Sequence, residues 1–126
     1  NGLLPTVGNV VTALASVAPP ATVADRADPT KWAPVLPNPA SGYALVAYTN
    51  LIFGQCYKDV ADGTNIRDFL TRHYGATTNN DTAIEAMKLI PLNAAWKNAV
   101  RLQFANQSGA LGVNNLSVCN TQGRPA

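Results

Sequence analysis

Hydrophobic positions gather into one long run and several short periodic stretches. The run is Ser41 to Tyr57, SGYALVAYTNLIFGQCY, rich in the β-branched and aromatic residues that suit a pleated surface. Gly42 and Gly54 bracket it, and Pro37 and Pro39 lie just upstream, so the pattern predicts strand and not helix. It is longer than the about 5–6 residues of an ordinary strand. Two strand segments are therefore expected, with a break at Tyr48, Thr49 and Asn50. A strand this apolar needs cover on both faces.

The flanking sequence predicts helices as that cover. Pro5 suits a first helical turn, and Val7, Val10, Val11, Leu14 and Val17 recur at helical spacing until Pro19 and Pro20 stop them. Pro19 to Pro39 carries so many prolines that an extended connector is expected, with one turn at Asp28 to Thr30 and Trp32 as its anchor. Beyond the long run, Lys58 to Gly63 reads as a polar turn. Thr64 or Asn65 then caps a helix whose Ile66, Phe69, Leu70 and Tyr74 share a face, with Gly75 as its C′ residue. A second helix begins near Asn80 to Thr82, where Thr82 and Glu85 have capping-box spacing, and stops before Pro91. Asn93 caps a third, with Trp96, Ala99, Val100 and Phe104 on one stripe and Lys97 and Arg101 on another. In the tail after Asn106, Leu111, Val113, Leu116 and Val118 are the packing residues, and without a tie at Cys119 the tail is expected to fray.

Composition narrows the classes. Charged residues are 13% of the 126, against about 25% in ordinary globular chains, so the surface is polar but weakly charged, a style commoner in exported proteins. The net charge of +2 is dispersed, without the basic stripe that nucleic acid requires, and no apolar run is long enough to insert in a membrane. Cys56 and Cys119 are consistent with one disulfide in an oxidising compartment, or with two buried thiols. With neither an initiator Met nor a signal peptide, the N-terminus is expected to arise by processing or proteolysis.

The inventory of reactive groups is bare. His73 is the single histidine and has no positioned partner in sequence, so no catalytic base is assigned. One His and two distant Cys make no metal site, and no cofactor is expected. The seven acids, Asp25, Asp28, Asp59, Asp62, Asp68, Asp81 and Glu85, sit mostly in turns and first helical turns, where capping explains them. There is no phosphate-cradling Gly-rich loop and no nucleophile elbow. Asn80, Asn106 and Asn115 each begin an N-x-S/T sequon. One apolar strand unit cannot form a sheet alone, and the chain reads as part of a fold.

Four stretches taken in order carry a resemblance: SGYALVAYTNLIFGQCY, IRDFLTRHYG, the corner IPL with NAAWKNAVRLQF, and NNLSVCNTQGRPA. Together with the earlier TALASVAPPATVADRADPTKWAPV they resemble the C-terminal part of the DING proteins, secreted or periplasmic relatives of phosphate ABC-transporter substrate-binding proteins. The resemblance implies an α/β fold, the C-terminal segment of a two-lobed periplasmic-binding-protein architecture of the type II, Venus-flytrap kind. Residues 1–40 would be helix and proline-rich connector from the inter-lobe region, and 41–126 the strand-and-helix part of the first lobe. In the family, phosphate is held by a glycine- and threonine-containing loop, an aspartate, an arginine and a Ser-Gly-Thr helix start. None of these matches any position here, so no phosphate ligand is assigned. What carries over is structural: Cys56 with Cys119 matches the family's C-terminal disulfide, and Ser41 to Tyr57 its strand returning into the first lobe. Pro91, Leu92 and Trp96 match the packing of its closing helices. The implied partners are inorganic phosphate, an N-terminal portion of the same protein as a separate chain, and an ABC permease. A DING-type alkaline phosphatase and an independent assembly module are the alternatives. If the long run is that strand, its backbone should lack most hydrogen-bonding partners within this chain.

Overall fold

Helices account for the regular structure that forms, and each begins where a polar side chain satisfies its first free amides. A computed structural model describes residues 2–120 and 123. Helix α1 (Val7–Leu14) starts at Thr6, whose hydroxyl accepts from Asn9 N, and α2 (Val23–Ala27) at Thr22, which accepts from Asp25 N. A 3-10 turn, Pro29–Trp32, follows from Asp28. Hydrogen bonds from the Thr30 hydroxyl and amide hold the Asp28 carboxyl below its usual value of 3.8. Then come α3 (Val60–His73), α4 (Asp81–Ala86) and α5 (Ala94–Val100), the last running into a π-helical turn at Arg101–Ala105. Helix α6 is short, Leu116–Cys119, capped by Asn115. The π-helical turn packs against α3, and the apolar core is small: Leu70 and Val113 are fully buried, and Trp96, Ala13 and Cys119 are buried as well.

Three expectations need correction. The connector from Pro19 to Pro39 is not wholly extended: no proline falls between Ala21 and Asp28, and the Thr22 cap is enough for one helical turn there. Helix α3 begins at Val60, so the stretch Lys58 to Gly63 is no turn. Asp59 accepts from Ala61 N at 2.7 Å and starts the helix early, and Gly63 is retained inside it for close packing. The long run forms no strand among the described residues. Its backbone has no regular structure, and from residue 44 to residue 53 no amide or carbonyl meets a backbone partner among them. A sheet needs neighbours, and none is present among the described residues.

The run is nevertheless fixed at both ends. Gly42 (φ +86°) turns against α1, where a Cβ would stand 2.4 Å from the Asn9 carbonyl, and Tyr43 N donates to that carbonyl at 2.9 Å. At the other end, Asn114 N donates to the Gln55 carbonyl at 2.7 Å, and Tyr57 N donates to Asn114 Oδ1 at 2.7 Å. Cys56 is bonded to Cys119, Cα atoms 5.3 Å apart and 63 positions apart in sequence. Closing a loop of that size stabilises by about 4 kcal/mol in the chain-entropy picture.

Gly63 tests this clamp. Gly→Ala inside a helix ordinarily stabilises by about 0.5–1 kcal/mol, but at Gly63 a Cβ would lie 2.2 Å from Asn114 Nδ2. Displacing Asn114 breaks its bond to Tyr57 N. Gly63→Ala is expected to lower the unfolding free energy in urea by about 1–3 kcal/mol, and an unchanged or raised midpoint would refute the clamp.

Candidate functional site: an aromatic-lined cavity

Trp96 stands at the N-terminal turn of α5 because Asn93 caps that helix, its Oδ1 accepting from Trp96 N at 3.0 Å. The indole is buried, and its Nε1 donates to the Val17 carbonyl at 2.9 Å, which ties the segment after α1 to α5. Trp32 packs edge-on to Trp96 with centroids 6.3 Å apart and to Phe104 at 4.7 Å, while its own Nε1 donates to the Arg26 carbonyl at 3.1 Å. From the extended run, Tyr48 reaches Trp96 at 5.8 Å and Phe53 reaches Phe104 at 5.7 Å. Such aromatic pairs contribute about 0.5–1.5 kcal/mol each beyond their burial. Thus one cluster joins connector, run and α5.

Beside the cluster lies a cavity of about 480 Å³, walled by the 3-10 turn, residues 48–53 of the run, Leu70 and Tyr74 of α3, and Trp96 and Phe104. No charged side chain lines it. Burial pushes the Tyr48 and Tyr74 phenols above their ordinary value of 10.0. An anion placed here would be desolvated without a counter-charge, at a cost of several kcal/mol. The cavity's chemistry is that of a seat for apolar side chains.

The residues singled out from sequence are scattered. His73 is half-buried, stacked on Phe69 at 5.1 Å, with Nδ1 3.1 Å from Asn80 Nδ2. No group of three His, Cys, Asp or Glu side chains converges among the described residues. The three sequon asparagines differ: Asn80 and Asn106 are exposed, while Asn115 is buried with its Nδ2 donating to the Gly109 carbonyl at 2.8 Å. Lys97, expected on a polar stripe, is instead buried and paired with Asp81 across α5 and α4. No local pattern announces that pair, since the partners are 16 positions apart on different helices. Asp81 Oδ1 and Gln103 Nε2 are buried without a hydrogen-bond partner among the described residues. Gln103 sits in the π-helical turn, whose wider winding places it inward.

Comparison with known proteins identifies what the chain is similar to. No family model matches the chain. It is 56% identical to alkaline phosphatase L of Pseudomonas aeruginosa over 126 residues, 99% of this chain and 34% of that one. It is 44% identical over 133 residues to a phosphate-binding protein of an unknown prokaryotic organism, 98% of this chain and 35% of that one. In three dimensions it superposes with a TM-score of 0.84 on the phosphate-binding protein of Stenotrophomonas maltophilia, at 48% identity, covering 93% of this chain and 33% of the other. A high-affinity periplasmic phosphate-binding protein of the DING type, solved with phosphate bound, superposes with 0.87 at 47% identity, covering 98% of this chain and 36% of that one. The chain is similar to DING phosphate-binding proteins. It spans about a third of the length of the curated relatives it matches. The DING resemblance therefore holds in sequence and in fold over nearly the whole chain.

Two outcomes test the site. Trp96→Phe keeps the ring but removes the Nε1 bond to Val17, and is expected to cost about 1 kcal/mol; an unchanged urea midpoint would contradict the tie. In an ultraviolet titration, Tyr74→Phe should remove a phenol that ionises above pH 10.0. A raised folded-state pKa favours the neutral phenol, so its contribution to stability holds below the unfolded value and is lost as pH rises through the folded one. Loss of an early-titrating phenol in the variant would be the contrary result.

Proposed function

We propose that this chain is the scaffold part of a secreted or periplasmic phosphate-binding protein, and that it contributes packing and no phosphate ligands. In this reading it is the C-terminal segment of a two-lobed, type II Venus-flytrap protein. Residues 1–40 belong to the inter-lobe region and 41–126 to the first lobe. Inorganic phosphate is held by the N-terminal portion, present as a separate chain or continuous with this one, and an ABC permease is the downstream partner. The observation that carries the reading is the match to phosphate-binding proteins at TM-scores up to 0.87 over a third of their length. It is supported by an apolar cavity with no charged lining and a stretch of backbone unpaired among the described residues.

A second reading has one observation in its favour: relatives at 44–56% identity carry the name alkaline phosphatase L. Under it, hydrolysis would be performed by residues outside this chain, since no nucleophile with a positioned base occurs among the described ones. An independent assembly module is less well supported, because a module of its own would not leave its longest apolar stretch without neighbours.

Calorimetric titration with inorganic phosphate separates these readings. The chain alone should show no binding at micromolar phosphate, and binding should appear when the remaining two-thirds of the protein is supplied. Micromolar binding by this chain alone would overturn the proposal, and turnover of a phosphomonoester by the completed protein would favour the second reading.

A further inference from the structure

Cys56 and Cys119 are 63 positions apart, and no single element of structure joins them. In an unfolded chain two such thiols meet only as often as loop closure allows. Two adjacent asparagines before α6 change that, because each holds one of the cysteines through its immediate neighbours.

Asn114 holds the Cys56 side. Its amide donates to the Gln55 carbonyl at 2.7 Å and its Oδ1 accepts from Tyr57 N at 2.7 Å, so both neighbours of Cys56 are bound to one residue. Gln55 is fixed a second time by its Nε2, which donates to the Ala110 carbonyl at 2.9 Å. Asn114 has φ +53°, a left-handed conformation that asparagine adopts more readily than most residues. Asn115 holds the Cys119 side. Its Oδ1 caps α6 by accepting from Ser117 N at 2.9 Å, and its carbonyl accepts from Cys119 N at 2.8 Å. Its Nδ2 donates to the Gly109 carbonyl at 2.8 Å. Both asparagines are buried, at 8% and 7% exposure. They are anchored through Val113, whose amide donates to the Phe104 carbonyl at 2.9 Å and whose carbonyl accepts from Arg67 Nη1 at 3.2 Å. None of these contacts passes through the sulfur–sulfur bond.

We infer that Asn114 and Asn115 form a template for the Cys56–Cys119 bond: they seat the two thiols together in the reduced chain, and oxidation locks an arrangement that already exists. With a disulfide such as oxidised glutathione as oxidant, one cysteine thiolate attacks it, forms a mixed disulfide and releases one glutathione thiolate. The second cysteine thiolate attacks the protein sulfur of that mixed disulfide. The protein S–S bond forms, the second glutathione leaves, and the two protons from the cysteines end on the released thiols. The asparagines act on this second, intramolecular step, where held partners react far more readily than free ones. They are positioning residues and take no part in the exchange itself.

Redox equilibration against oxidised and reduced glutathione tests this, with thiols trapped and counted by mass spectrometry and the remaining two-thirds of the protein present. The quantity read is the effective concentration of one cysteine at the other. Asn114→Gly keeps the left-handed backbone and removes Oδ1, and is expected to lower that concentration by about fivefold, the size of one lost hydrogen bond. Asn115→Ala should lower it likewise, and Asn115→Asp, which keeps the capping oxygen, should restore most of it. Thr22→Ala removes the cap of α2 and is expected to leave it unchanged, because a merely stabilising residue acts equally on the reduced and oxidised folds. An unchanged value in Asn114→Gly, or an equal fall in Thr22→Ala, overturns the template. A second measurement needs no asparagine variant. With Cys56→Ala and Cys119→Ala combined, the amides of Tyr57 and Asn114 should stay protected from hydrogen exchange. Loss of that protection, locally or with the whole fold, would make the contacts a consequence of the bond and overturn the template too.

Discussion

Backbone hydrogen bonding is the constraint on which the rest of this structure depends. A buried amide or carbonyl without a partner costs free energy comparable to a lost hydrogen bond, so nearly all such groups in folded proteins are paired. Residues 44–53 are apolar enough to demand burial, yet their backbone has no partner among the described residues. Both demands cannot be met by the six short helices alone. Leu45, Leu51 and Ile52 are exposed, and a cavity lies against Tyr48 and Phe53.

What the chain does complete is a frame. Gly42 against Asn9, the Asn114 clamp on Gln55 and Tyr57, and the Cys56–Cys119 bond fix the two ends of the run. Between them, Trp32, Trp96 and Phe104 hold connector and α5 together, the Trp32 indole N–H donating to the Arg26 carbonyl in α2 and that of Trp96 to the Val17 carbonyl. Such a frame gives an incoming sheet a prepared apolar surface. No charged side chain lines the cavity beside it.

Much of this was legible in the residues, and what was missed has physical causes. Caps were the best guides: Asn93 and the apolar spacing after Pro5 located α5 and α1 within a few residues. The start of α3 was obscured by Gly63, a helix-weakening residue retained because Asn114 fills the space a Cβ would need. Helix α2 was masked by the prolines on either side of it. Lys97 and Asp81 escaped because their pairing depends on how two helices meet, which no spacing reveals. The strand pattern of Ser41 to Tyr57 described a preference whose fulfilment depends on neighbours, and the backbone of residues 44–53 has none among the described residues.

Sedimentation equilibrium tests the central claim, that the chain is an incomplete part of a larger fold, without reference to any ligand. The chain is mixed with the remaining two-thirds of the protein as a separate polypeptide. The account predicts a stable one-to-one complex, with loss of the free 13.2 kDa species. Two components sedimenting independently at every ratio would contradict it.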